Sequence, residues 1–462
     1  MLKIFNTISH SKEKFIPIKN NRVNIYVCGV TVYNCCHIGH GRTFVIFDIV
    51  SRYFRHIGYK TNYVRNITDI DDKIISLSIK NNESITVFTN RMIKSMHRDF
   101  SLLNILPPDE EPKVTENIDA IIKVIDNLLK KNYAYVQNNG DVMFSVDKDV
   151  HYGKLSNQFL KKLKLGKRVK IDKNKRNPLD FVLWKKVPLS EKFYWNSPWG
   201  KGRPGWHIEC TAMSSVKIGN LLDIHGGGID LLFPHHENER AQFSCFKKES
   251  RINYWMHSGM VVLNNKKMSK SLENFILLKD LLSKYDGESI RYFLISTHYR
   301  RPLNYCEENI KKSSISLRRL YVSLRNTLID KNFSFFPNKY QVAFEKAMQD
   351  DFNTPKALLT LHSLSKKINI LKKENKLEKV EKFSNLLRKL GKVLGLFYSD
   401  PELFLQKNIK IKEEKEINSL IKKRNIARKL KMWSVSDNIR KKLFELGIIL
   451  EDDKLSTTWR KK

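Results

Sequence analysis

Two short strings carry the groups best suited to phosphate chemistry. The first is His37-Ile38-Gly39-His40 and the second is Lys267-Met268-Ser269-Lys270-Ser271. A helix N-terminus leaves backbone N–H groups unpaired and bears a partial positive charge, so anions settle there. Gly39 and Gly41 let the backbone approach a phosphate closely. His37 and His40 add donors aimed at the charge that builds on an α-phosphate during displacement. Lys267 and Lys270 would neutralise the β- and γ-phosphates as pyrophosphate leaves, from a loop able to close over the nucleotide. Each string alone has an ordinary explanation: helix capping for the histidines, a solvated loop for the lysines. Their occurrence together, framing an αβ segment, points to an enzyme that handles a nucleoside triphosphate.

Cys28, Cys210, His235 and Glu239 are of the right types to hold one metal ion. Pro234-His235-His236-Glu237-Asn238-Glu239 opens an expected helix, and residues i and i+4 share a face, which places His235 and Glu239 together. Two thiolates, an imidazole and a carboxylate suit Zn²⁺. Spacing leaves His236 open as a rival to His235, and buried apolar thiols remain the ordinary alternative for the cysteines.

The elements that must position these groups read as a parallel αβ sheet. Val23–Val27 alternates as a strand that ends at Cys28-Gly29, 41–56 is an amphipathic helix, and Thr61–Ile67 is a second strand. Further on, Leu221–Ile224 reads as a strand, Gly226-Gly227-Gly228 as a tight loop, and Pro234 as the start of a helix reaching Phe246. An insertion, 113–202, carries a basic stretch from Lys161 to Arg176. Beyond Arg300 the pattern is helical, with segments near Ser313–Thr327, Gln341–Asp350 and Pro355–Leu371. Lys407–Lys415 reads as a linker.

A chain of 462 residues exceeds one compact core. Its 84 Lys+Arg against 48 Asp+Glu give a formal charge of +36, which favours a polyanionic partner. Lysine and asparagine recur throughout, so the sign of the charge is informative and its size reflects composition. No apolar stretch is long enough to span a bilayer, and Lys3 and Asn6 interrupt the N-terminus where a signal peptide needs continuity. Six scattered cysteines suit a reducing compartment. The expectation is a cytoplasmic protein with no membrane contact.

The residues resemble cysteinyl-tRNA synthetase, a class I aminoacyl-tRNA synthetase family, over essentially the whole chain. The resemblance rests on 26–33 (YVCGVTVY), the two phosphate-handling strings, 202–210 (GRPGWHIEC) and Gly226–Glu239. It implies a Rossmann-like class I catalytic domain with an inserted connective domain, then a helical bundle and a small C-terminal domain. The expected boundaries are 1–112 and 203–260 for the catalytic halves, 113–202 for the insertion, and 261–310 for a stem-contact region bearing the lysine string. The bundle takes 311–400 and the anticodon-recognition unit 401–462.

By the same resemblance Cys28, Cys210, His235 and Glu239 are the ligands of one Zn²⁺ per chain, in preference to His236, and His37, His40 and Lys270 map to the family's catalytic strings. Thr68 and Trp206 would line the amino-acid pocket and Asp230 would touch the ribose. Mg²⁺ would accompany ATP. Arg428, Trp433, Arg440 and Trp459 would offer stacking and phosphate contacts to unpaired bases. The implied activity is ATP-dependent activation of L-cysteine and its transfer to tRNA(Cys), by a monomer. The alternatives are a cysteine ligase with an aminosugar-inositol acceptor and an inactive zinc- and RNA-binding relative. Asn34 and the tail 451–459 depart from the family pattern, which bears on a polar contact beside the first string and on the shape of a turn.

Overall fold

The computed structural model describes residues 1–157, 175–188, 190–247, 249–264, 266–267, 275–330, 332–407, 411–452 and 457–461, except the side chains of 266, 267, 411 and 412. Most of the basic stretch that starts at Lys161, together with Lys270 and the Lys267 side chain, lies outside these residues. The chain forms two compact units. One comprises Met1–Ser314, Asn338–Thr360 and Val393–Gly395; the other comprises Ile315–Pro337, Leu361–Lys392 and Leu396–Lys462.

The first unit is built on a four-stranded parallel sheet. Its strands are β1 (Arg22–Thr31), β2 (Lys60–Thr68), β3 (Leu221–Gly228) and β4 (Arg251–Ser258), in the order β4-β3-β1-β2. The chain leaves β1 toward β2 on one side and returns to β3 on the other. The carboxyl ends of β1 and β3 therefore flank a topological switch point, where open α/β sheets place their ligands. Helix α1 (Ile38–His56) follows β1 and buries Phe44, Phe47, Val50 and Phe54. The expected strand-helix-strand unit is present, with α1 starting three residues earlier than periodicity suggests.

Two expectations fail here. Strand β1 does not stop at Cys28-Gly29; it runs to Thr31 with a register shift between Val27 and Val30. The three glycines are not a loop but the end of β3, paired in register with Met256, His257 and Ser258. Glycine is required there for space: a Cβ on Gly226 would stand 2.1 Å from the Phe47 ring. Helix α1 packs so closely on the sheet that no side chain fits between them.

Within the insertion, Ala134–Val136, Val142–Phe144, Phe181–Lys186 and Gly202–Pro204 form an antiparallel sheet. Helix α2 (Trp206–Lys217) follows it. Leu232–His236 makes one irregular helical turn, with Phe233 extended, before α3 (Glu237–Phe246), so Pro234 precedes the regular helix rather than opening it. Beyond β4, β5 (Val261–Leu263) pairs in parallel with β6 (Leu303–Tyr305) and antiparallel with Lys266–Lys267.

Helix α4 (Glu307–Leu324) begins before the expected Ser313. Helix α5 (Thr354–Lys373) follows Asp351 and Phe352, whose φ values are 61° and 50°. The second unit ends in α6 (Ile411–Lys429), α7 (Trp433–Glu445) and the antiparallel hairpin β7 (Ile448–Asp452) and β8 (Thr457–Lys461). Helix α6 occupies part of the expected linker. The hairpin core joins Ile417, Ile421, Leu443, Ile448, Leu450 and Trp459. Trp459 is only 4% exposed and donates through Nε1 to Asn418 Oδ1 at 2.9 Å, so it is a core residue and not a surface for stacking bases. No described helix is long and apolar enough to cross a membrane.

Candidate active site and metal centre

A cleft of about 410 Å³ opens at the switch point, and His37, Gly39, His40, Cys28, Trp206 and Asp230 line it. The two histidines cap α1 reciprocally. His37 Nδ1 accepts from the His40 N–H at 3.3 Å, and His40 Nδ1 accepts from the His37 N–H at 3.3 Å. The rings stack with centroids 3.7 Å apart. Burial, and then the neighbouring His37, push the His40 imidazole well below its usual pKa, which keeps it neutral. With each Nδ1 occupied as an acceptor, the proton of each neutral ring sits on Nε2. The bonds that close the helix end thus set both rings as donors through Nε2.

The described residues that follow the lysine string meet the same turn. Ile38 N–H donates to Ile276 O at 2.9 Å and Leu278 N–H to Cys36 O at 2.8 Å, just beyond the string. Lys267 pairs through its backbone with Val262 on the other side. Phe275, 5.2 Å from the His37 ring, lines the cleft. Arg42, one turn into α1, is fully buried and donates to the carbonyls of Met260 (3.0 Å), His298 (3.2 Å) and Arg301 (2.5 Å). Burial lowers its guanidinium to about 9. It ties the histidine helix to the start of β5.

Cys28, Cys210, His235 and Glu239 are all buried, and their ligand atoms lie within 4.8 Å of one another. The Cys28 thiol donates to Glu239 Oε1 at 3.1 Å and lies 3.6 Å from Cys210 Sγ. His235 Nε2 stands 2.7 Å from Glu239 Oε1. A hydrogen bond from Cys28 lowers the Cys210 thiol to about 7 against the effect of burial. Burial, then Cys210, raises the Cys28 thiol well above its usual range. Burial opposes ionisation of Glu239, yet His235 and His225 hold its carboxyl well below the usual range.

Glu239 Oε2 lies 3.0 Å from His225 Nε2 without hydrogen-bond alignment, and accepts no hydrogen bond among the described residues. A buried carboxylate and a low-pKa thiol facing one point form a set that a divalent cation would neutralise, so the donors fit a metal. His207 Nδ1 lies 2.9 Å from His235 Nδ1, which leaves His235 Nε2 for the centre. His236 instead bonds His257 at 2.8 Å, although it also falls in a second group with Cys28, His225 and Glu239.

Trp206 is 43% exposed and its ring lies 4.2 Å from that of His235, so it faces the cleft and is not core packing. Thr68 is buried and its hydroxyl donates to Glu209 Oε2 at 2.9 Å; burial, then Cys210, lifts that carboxyl well above its usual range. Residue-type reasoning singled out no role for His225, His207 and Glu209, nor for Asp71 and Lys73, which also line the cleft. The one available signal was His225 itself, a histidine inside a strand whose neighbours Leu222 and Ile224 are buried.

Gly29 sits in the register shift of β1, and a Cβ there would lie 1.6 Å from the Asn66 carbonyl oxygen. Gly29→Ala must push β1 from β2, and we expect it to destabilise the chain by about 3 kcal/mol in urea unfolding.

Comparison with known families matches residues 14–315 to the tRNA synthetases class I (C) catalytic domain, 343–398 to the DALR domain and 413–460 to the cysteinyl-tRNA ligase anticodon binding domain. The chain is 55% identical over 467 residues to a cysteine--tRNA ligase of Buchnera aphidicola subsp. Acyrthosiphon pisum, covering 100% of this chain and 99% of the relative. It is 53% identical over 462 residues to one from Glaesserella parasuis, with 100% of both covered. Among solved structures it is similar in fold to Mycobacterium tuberculosis methionyl-tRNA synthetase in complex with methionyl-adenylate. That match has a TM-score of 0.56 and 13% identity, and covers 87% of this chain and 94% of the other.

Proposed function

Because the chain belongs to the cysteine--tRNA ligase family, it activates L-cysteine with ATP and transfers it to tRNA(Cys), and we propose that Cys28, Cys210, His235 and Glu239 hold one zinc ion that selects the substrate. The observation that carries the proposal is the convergence of four buried donor atoms beside a histidine-capped helix, at the mouth of one cleft.

In the first half-reaction a carboxylate oxygen of cysteine attacks the α-phosphorus of ATP, and the bond to the β-phosphate breaks. His37 and His40 then donate from Nε2 to the oxygens on which charge builds. Gly39 brings the helix backbone near the phosphates, Asp230 accepts from the ribose, and Lys267 and Lys270 neutralise the departing pyrophosphate, to which Mg²⁺, when bound with ATP, would add positive charge. In the second half-reaction a hydroxyl of the tRNA's terminal ribose attacks the acyl carbon and AMP leaves.

When bound, zinc held by Cys28, Cys210, His235 and Glu239 would supply a soft Lewis acid that favours a thiol over a serine hydroxyl. A pocket based on size alone separates such near-isosteres poorly. Trp206 walls the amino-acid pocket, whereas Thr68, expected to line it, is buried, donates to Glu209 and is not among the described residues lining the cleft. Arg428, Trp433 and Arg440, all exposed on α6 and α7, face unpaired bases of the anticodon loop. The enzyme works as a cytoplasmic monomer.

Exchange of labelled pyrophosphate into ATP should require cysteine and fall at least about 100-fold with serine. Equal exchange with both amino acids would remove the metal-based selection.

A further inference from the structure

Helix α3 carries Glu239 in its first turn, and His235 sits in the irregular turn just before it. Little in the local sequence fixes where that helix starts. His236 stands at its N-terminal boundary in helical conformation, and no side chain among the described residues caps the first turn. Two of the four candidate donors therefore depend on a helix end that its own residues leave loose.

The insertion supplies the hold. Ser156 donates to Glu237 Oε2 through both its N–H and its hydroxyl, each at 2.8 Å. Arg240 Nε donates to Glu237 Oε1 at 2.9 Å, and the same guanidinium pairs with Asp149 Oδ2. The Tyr152 hydroxyl donates to Asn238 Oδ1. Asp149, Tyr152, Glu237, Asn238 and Arg240 are all buried. The far end of α3 is held as well: Lys131, which closes the helix Ile118–Lys130, donates from Nζ to Phe246 O at 2.7 Å.

Glu237 precedes Glu239 by two residues, about 200° of helical turn, so the network grips the face opposite the metal donor. Docking of the insertion is the ordinary explanation for such contacts, but docking alone needs only apolar packing. Buried charges lose their water, and apolar groups of the same shape are often as stabilising. What directional bonds add is one defined rotation and height for the helix they grip.

We propose that the segment 149–156, through Tyr152 and Ser156, positions the metal centre: by fixing α3 it sets where His235 and Glu239 stand against Cys28 and Cys210. The inference rests on those four residues holding zinc. It gives the insertion a part in selecting cysteine, although no residue of 149–156 lines the cleft.

The test uses the full chain carrying Tyr152→Phe and Ser156→Ala together, with Ser156→Ala alone as a gentler variant that keeps the N–H bond to Glu237. Tyr135→Phe is the control. It removes a buried hydroxyl from the same insertion, and the partners of that hydroxyl, Asp180 and Arg176, lie outside α3. Circular dichroism checks folding. Zinc affinity, measured by competition with a chromogenic chelator, should fall about tenfold in the double variant and stay within about twofold of wild type in the control. In pyrophosphate exchange the KM for cysteine should rise about tenfold, while kcat and the KM for ATP stay within about twofold. The preference for cysteine over serine should narrow by about the same factor as the KM rises.

Unchanged zinc affinity and cysteine KM in a folded double variant would overturn the proposal. An equal loss in Tyr135→Phe would overturn it too, because it would mark a general loosening of the insertion. If the double variant does not fold, Ser156→Ala decides alone: about a threefold loss of zinc affinity supports positioning, and the wild-type value overturns it. Cys210→Ser separates this inference from the reading beneath it. Zinc lost there but kept in the double variant removes positioning alone, whereas zinc kept in both removes the centre and positioning with it.

Discussion

Replacing Cys210 with serine should lower zinc in the purified chain from about one ion to about a tenth or less, and raise the KM for cysteine by about 100-fold or more. The side chain sits in the second turn of α2, 2% exposed, where the Cys28 hydrogen bond brings its thiol to about 7. It is therefore the more readily ionised of the two cysteines, whereas burial and then Cys210 hold the Cys28 thiol well above its usual range. A serine hydroxyl has nearly the same shape but does not ionise in that range, so the variant should fold while offering three ligands in place of four. Elemental analysis of dialysed protein, alongside circular dichroism, separates lost binding from lost structure. Retention of a full equivalent of zinc would remove Cys210 from the site.

Substituting Arg42 with alanine should destabilise the first unit by about 3–5 kcal/mol, as expected when several buried carbonyls lose their donor at once. Among the described residues no carboxylate pairs with this guanidinium. Its partners are backbone carbonyls at Met260 and across 298–301, and its Nε has no hydrogen-bond partner among the described residues. Deletion would leave those oxygens buried without donors, each at a cost of about 1–3 kcal/mol. Arg42→Lys keeps the charge but not the planar fork, and should recover only part of the loss. Denaturant unfolding of the two variants against wild type measures both. Because the same carbonyls lead into β5, Arg42→Lys should also slow pyrophosphate exchange, with a smaller effect on transfer from preformed cysteinyl-adenylate. Wild-type stability in Arg42→Ala would show that water or a neighbouring donor replaces the clamp.

The first histidine string was legible as a helix start because capping depends on few residues at short spacing, and the parallel αβ unit because Val23–Val27 and the helix after it are strongly periodic; most of the lysine string lies outside the described residues. The candidate metal donors were legible as types, but residues alone left His235 and His236 open, and their surroundings here differ through an irregular turn before α3 and through His257 and His207, partners remote in the chain. The triple glycine misled for a physical reason. Composition marks such a run as a turn, whereas its cause here is the Phe47 ring pressing on Gly226. Trp459 misled similarly: a tryptophan in a basic tail suggests an RNA surface until the hairpin folds it against Ile417 and Leu443.

The four donors of the candidate centre come from β1, α2, the turn before α3, and α3 itself. No short peptide from this protein contains the whole set. A nascent chain leaving the ribosome could not capture the ion until residue 239 had emerged and the parallel strands had aligned. Such an ion would arrive as a late passenger in a scaffold already assembled, and a chelator should strip it while leaving that scaffold standing.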